Sequence, residues 1–135
     1  MDIEKIEHEG KTFAIVIRKD FESEGVNFVT TKDNSLQLGI LKHKKGHEIK
    51  PHVHTENERV IKDTQEVLYV AYGKVRIDFY DINERFESTI LNEGDVILLI
   101  QGGHGFEIIE DSKIIEIKQG PYLSPDVDKE PLIKK

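Results

Sequence analysis

The sequence contains no cysteine. Disulfides, cysteine-ligated zinc fingers, iron–sulfur clusters and thiol nucleophiles are therefore excluded. Any metal ion would have to be held by nitrogen and oxygen. Long apolar runs are missing as well. The longest, residues 67–72, has six members, whereas a membrane-spanning helix needs ~20. The opening stretch MDIEKIEHEG has no apolar segment of the kind a secretory signal carries. An excess of positive charge is also absent: 19 Lys and Arg face 26 Asp and Glu, a formal net charge of −7. A broad grip on phosphates needs a basic surface. The expected partners thus exclude nucleic acid and membrane and leave small molecules, including an anion held by a few local Arg or Lys side chains. The expectation is a soluble, cytoplasmic protein.

What is present is a set of short strand signals. The 135 residues suit one domain, 1–135, large enough to fold without staples. Helical periodicity is scarce, and the run 20–25 offers at most one helical turn. Apolar and alternating stretches separated by Gly, Asn and Asp recur instead. They fall at 3–6 and 12–17 around a turn at 8–11, at 27–30, at 35–41, at 65–71 and 74–81 around a Tyr72-Gly73 turn, and at 86–91, 96–100, 105–109 and 113–118. Nine or ten short strands of this kind predict an all-β sandwich or barrel. Residues 1–30 supply N-terminal strands. The tail 120–135 carries Pro121, Pro125 and Pro131, which bars it from a central strand and places it across the surface or leaves it mobile.

Three segments carry chemistry. In Gly46-His47-Glu48-Ile49-Lys50-Pro51-His52-Val53-His54, a strand would project His52 and His54 to the same face, where two imidazoles can reach one ion. Taken alone, the pair is weak evidence, and the alternative is two surface or core histidines. Glu66 opens the apolar stretch 66–72, sharing a face with Leu68 and Val70; a carboxylate in such company needs a cation or a donor unless the strand end is open to water. His104 stands among Gly102, Gly103 and Gly105, displayed without bulky neighbours, or is a turn residue and no more. His8, His43 and His47 are expected at the surface.

Together these segments resemble the cupin superfamily. Gly46, His52, His54, Glu66 and Gly73 fill the places of its first motif; Gly94, Gly102 and His104 match the second approximately. The resemblance covers about residues 35–118. It implies a double-stranded β-helix, the jelly-roll barrel of the cupin fold, and one divalent transition metal ion (Fe, Mn, Ni or Zn) held by His52, His54, Glu66 and His104. It also implies a homodimer. Two departures stand out. Eleven residues, 55–65, separate His54 from Glu66, where the pattern has three or four, and Glu58 sits at the ordinary distance. An apolar strand and a glycine follow Glu66 but not Glu58, so Glu66 is the expected carboxylate and Glu58 the alternative. Ile100 stands in place of the motif's Pro, and one residue is missing before His104.

The insert 55–65 is expected near the mouth of the barrel as a lid, a rim or a longer solvated hairpin. Its Arg59 and Lys62 suit a carboxylate or phosphate on a ligand. Arg76, Asp78 and Tyr80 share one face of the 74–81 strand; if that face looks inward, Arg76 and Tyr80 also bind substrate. The phrases at 66–70, 74–81, 102–107 and 118–122 look like those of small one-domain cupins found among surface-polysaccharide genes. The resemblance therefore points to a metal-dependent enzyme acting on a small polar molecule, a sugar or nucleotide-sugar, by isomerisation or epimerisation. The alternative is a non-catalytic module in which the metal anchors a sugar or acid.

Overall fold

The computed structural model describes residues 3–124, 127 and 129–132. In chain order its strands are β1 (Glu4–His8), β2 (Lys11–Ile17), β3 (Gly25–Phe28), β4 (Gly39–Lys42), β5 (Glu66–Asp81), β6 (Glu84–Asn92), β7 (Val96–Leu99) and β8 (Gly103–Lys118). The protein is all-β, and about half of its residues lie in strands. Among the described residues, no helix is long and apolar enough to cross a membrane. Residues up to 21 together with those from 64 onward form one compact unit, and residues 22–63 form another.

The larger unit is one antiparallel sheet. Its strands run in the order β1-β2-β7-β5-β6, with β8 on the other edge of β5. The central strands are the most apolar segments of the chain. Every residue from Phe13 to Ile17 on β2 is buried, as are Ile97, Leu98 and Leu99 on β7. Their continuous apolar runs are what a strand covered on both faces requires. Phe13, Ala14 and Val16 join Leu68, Val70, Val75, Ile77, Phe79, Leu91, Ile97 and Leu99 in one core, against which Phe86 and Ile114 pack.

The sheet curls. Strands β1 and β6 end the path, and in a flat sheet they would stand about 19 Å apart at the usual strand spacing. Instead the His8 ring of β1 stacks on the Phe86 ring of β6 with centroids 4.2 Å apart. Arg18, just past β2, spans the same gap. It donates to Glu4 Oε1 (3.1 Å), Thr89 Oγ1 (3.2 Å) and Asp95 Oδ2 (3.1 Å), and also to the Ile90 carbonyl. Asp95 is buried and accepts in addition from the backbone N–H groups of Lys19 (2.9 Å) and Asn92 (2.8 Å). The result is a half-barrel, as expected of a barrel-like all-β fold.

The strand inventory differs from the sequence expectation in one instructive way. The Tyr72-Gly73 pair does not turn the chain into a hairpin. Residues 66–81 are one strand, and residues 103–118 are another, paired along their length. The register slips near Gly73 and opposite it on β8. Gly73 has φ 99°, and a Cβ there would collide with Ser112 and the Asp111 backbone. Across this bulge the buried positions change from even (Leu68, Val70) to odd (Val75, Ile77, Phe79). An extra residue flips the side-chain phase, so both halves keep their apolar residues toward one core. A bulge and a turn write the same local signal, and only pairing partners tell them apart.

The smaller unit is a β3–β4 ribbon, Phe28 opposite Gly39, with the Phe28 ring lying over that glycine. Side-chain hydrogen bonds hold its loop: Gln37 Nε2 donates to the carbonyls of Thr31 (2.8 Å) and Asn34 (2.9 Å). Lys42 pairs with Glu22 and Glu24. Among the described residues, none of its apolar side chains is buried. Residues 43–65 form no strand, so the His52–His54 stretch is irregular backbone rather than the expected strand. Pro51 offers no N–H for a ladder, and Ile49 and Val53, which would share its apolar face on a strand, are both exposed. In the tail, Leu132 lies against Gly103, while Pro125 falls outside the described residues.

Two outcomes are expected in urea denaturation. Gly73→Ala should cost about 1–3 kcal/mol, and more than Gly10→Ala, whose added Cβ would meet open space. Asp95→Ala should cost roughly 3 kcal/mol, because it strands Arg18 and two backbone donors.

Candidate metal centre

Glu66 opens β5 and His104 nearly opens β8. In register, Glu66 stands opposite Lys118 and Leu99, and His104 stands opposite Phe79. Paired residues in an antiparallel ladder project to the same face, so Glu66 lies on the side of Leu68 and Val70, and His104 on the side of Phe79. Both face the core. Thirteen residues of flat strand between Glu66 and Phe79 would span ~40 Å. The curl brings the two ends together, leaving His104 Nε2 only 3.8 Å from Glu66 Oε1.

Burial lowers the His104 imidazole below its usual pKa; Glu116 opposes the shift and Lys129 adds to it. The ring is therefore neutral at neutral pH and keeps a lone pair for a ligand bond. Donors around one small divalent ion lie roughly 3.0–3.4 Å apart at bond lengths near 2.1 Å, so this pair needs only a small shift to share an ion.

His52 and His54 belong to the 22–63 unit. Their ring centroids are 5.3 Å apart, nearly perpendicular at 72°. His52 Nδ1 donates to the Lys50 carbonyl at 2.9 Å, since a carbonyl can only accept. That bond fixes the tautomer and leaves the Nε2 lone pair available, which is how ligating histidines are commonly oriented. An open hollow of about 610 Å³ is lined by His54, Thr55, Glu56, Asn57, Glu58 and Arg59. Arg59 and Glu58 line the same hollow as His54. Lys62 is exposed. Three imidazoles and a carboxylate would suit iron, manganese, nickel or zinc; of the four expected ligands, Glu66 and His104 lie in one unit and His52 and His54 in the other.

Arg76, Asp78 and Tyr80 alternate with the core residues Ile77 and Phe79, so they lie on the opposite face of β5 from Glu66 and His104. Arg76 donates to both oxygens of Asp78, at 2.9 and 3.2 Å, and reaches Glu107 at 2.8 Å. Asp78 is buried beneath that contact, with Arg85 at 3.7 Å. Of the histidines expected at the surface, His43 and His47 stack on each other at 4.0 Å in the turn around Lys44-Lys45-Gly46. His8 differs from expectation. It is half-buried between Phe13 and Phe86 and lies 3.5 Å from Asp81. Nothing in the local sequence signals this, because Asp81 and Phe86 reach His8 only through the curl.

Compared with known proteins, the chain matches no family model, no curated protein and no solved structure.

If the four residues form one centre, Glu66→Gln, His104→Ala and His52→Ala should each lower metal affinity roughly tenfold or more with circular dichroism unchanged. Elemental analysis of protein purified without nickel resin reads this out. Unchanged metal content in all three variants rules the centre out.

Proposed function

We propose that this chain is a metal-binding cupin that acts on a small polar molecule, a sugar or nucleotide-sugar, by isomerisation or epimerisation. In this reading the curled sheet belongs to a double-stranded β-helix. His52, His54, Glu66 and His104 hold one divalent transition ion, with Glu58 as the alternative carboxylate. The observation that carries the reading is the approach of Glu66 and a neutral His104 on the core face of the sheet, 3.8 Å apart despite their separation along β5. A shared cation would take the His104 lone pair and a Glu66 carboxylate oxygen together.

A bound ion would polarise a carbonyl or hydroxyl of the substrate. The chain's own contribution is to position that substrate. Arg59 and Lys62 on the 55–65 insert suit its anionic end, Arg59 by a two-pronged hydrogen bond and Lys62 as a point charge. Arg76 and Tyr80, expected as substrate residues only if their face looked inward, lie on the other face of the sheet, where Arg76 is engaged by Asp78 and Glu107, and are left out of this reading. The protein works in the cytoplasm as a homodimer with a small-molecule ligand and no nucleic-acid or membrane partner. Support for a second copy comes from an exposed apolar strip of Tyr69, Ile115 and Ile117. It sits beside β8, which pairs only with β5 among the described strands, and an exposed strand edge is a template for pairing.

A non-catalytic, metal-anchored binding module is the second reading. What favours it is the placement of Asp78, the buried acidic residue of β5, which pairs with Arg76 and Arg85 on the face opposite Glu66 and His104 and so stands away from a substrate held there.

Turnover decides between the two. Metal-loaded protein is expected to convert a nucleotide-sugar, or scramble solvent deuterium into it, with loss of activity in His52→Ala and Glu66→Gln. Saturable binding without product or exchange favours the module. Light scattering should give a dimer, and Ile117→Lys should shift it to monomer.

A further inference from the structure

We propose a second divalent metal site, built by His8, Glu9 and Asp81, where the β1–β2 turn meets the β5–β6 turn. It shares no residue with the centre described above. His8 Nε2 is 3.5 Å from Asp81 Oδ2 and 3.9 Å from Glu9 Oε1. All three donor atoms lie within 4.8 Å of one another. Ligand atoms around a tetrahedral ion at bond lengths of roughly 2.0–2.1 Å are about 3.3 Å apart. The His8–Asp81 pair is almost there, and exposed Glu9 has room to close the rest.

The imidazole is aimed rather than loose. Its ring stacks on Phe86 at 4.2 Å and 19° and meets Phe13 edge-on at 6.2 Å and 78°. Those contacts fix the ring plane and direct Nε2 at the two carboxylates. The carboxylates come from turns that each hold a non-glycine residue at positive φ, Glu9 at 49° and Ile82 at 55°. A β-branched residue such as Ile82 in that conformation is strained, and strain of this kind collects at ligand clamps.

The surroundings favour a cation. A cleft of about 340 Å³ opens here, lined also by Asn83, Glu84 and Arg85. Three carboxylates thus face one guanidinium, and that guanidinium lies 3.7 Å from Asp78. A nitrogen donor with two carboxylate oxygens suits zinc, cobalt or nickel better than magnesium or calcium, which prefer oxygen alone. Three protein ligands leave a position for water. Such an ion would clip together two turns that are about seventy residues apart in sequence and so hold the half-barrel closed at this end.

The test uses full-length protein carrying His52→Ala and His54→Ala, so that the other centre is disabled. Zn²⁺ titrated by calorimetry should bind with a stoichiometry of one per chain. Adding Asp81→Asn, which leaves the His8–Phe86 stack in place, should weaken binding roughly tenfold or more, and His8→Gln should do the same. Zn²⁺ should raise the melting temperature of the parent and not of the Asp81→Asn protein. Co²⁺ should shift the ring resonances of His8 and Phe86. No Zn²⁺ binding in the parent, or binding indifferent to both Asp81→Asn and His8→Gln, overturns the site.

Discussion

The half-barrel depends on the pairing of Arg18 with Asp95. Asp95 sits buried in the turn between β6 and β7 and receives the Lys19 and Asn92 amides; Arg18 carries that anchor outward to Glu4 on β1 and to Thr89 and the Ile90 carbonyl on β6. Apolar burial alone does not specify how far a sheet should curl, because it is non-directional. A guanidinium with donors in a fixed fork does. It accepts partners from both ends of the strand path only at one separation. The network therefore converts a generic apolar core into a particular curvature.

That curvature creates both polar clusters of the larger unit. Along the strands, Glu66 and His104 are far apart, as are His8 and Asp81. Each pair meets because the sheet bends, once at Gly73 and again between β1 and β6. The bulge at Gly73 has a further role. By resetting the side-chain phase, it lets one long strand serve a single core on both sides of a bend, with Ser112 Oγ accepting from the Lys74 amide at 3.0 Å to compensate the broken ladder.

Much of this was legible in the sequence, and the exceptions have a common cause. Period-two alternation and apolar runs identified the all-β class and most strand positions, because those signals are local. The inward position of Glu66 followed from its spacing to Leu68 and Val70. The continuity of β5 and β8 was not legible: Tyr72-Gly73 reads as a turn unless Ser112 and Asp111 are known to press against it. The His8 cluster was invisible for the same reason, since its partners lie on another hairpin. In residues 49–54 the alternation itself suggests a strand, with Ile49, Pro51 and Val53 on one side and His52 and His54 on the other, but Pro51 lacks an N–H for a ladder and Ile49 and Val53 are left exposed.

The pairing of β2 with β7 sets an order of events. Ile15 meets Leu98, so the most apolar N-terminal strand waits for a partner made about eighty residues later. At synthesis rates of ~5–20 residues per second, β2 spends several seconds with only the short β1 beside it. Pairings this distant close slowly, on the ~ms–s scale of other sheet proteins. Until β7 is made, the apolar β2 has only β1 as a strand partner.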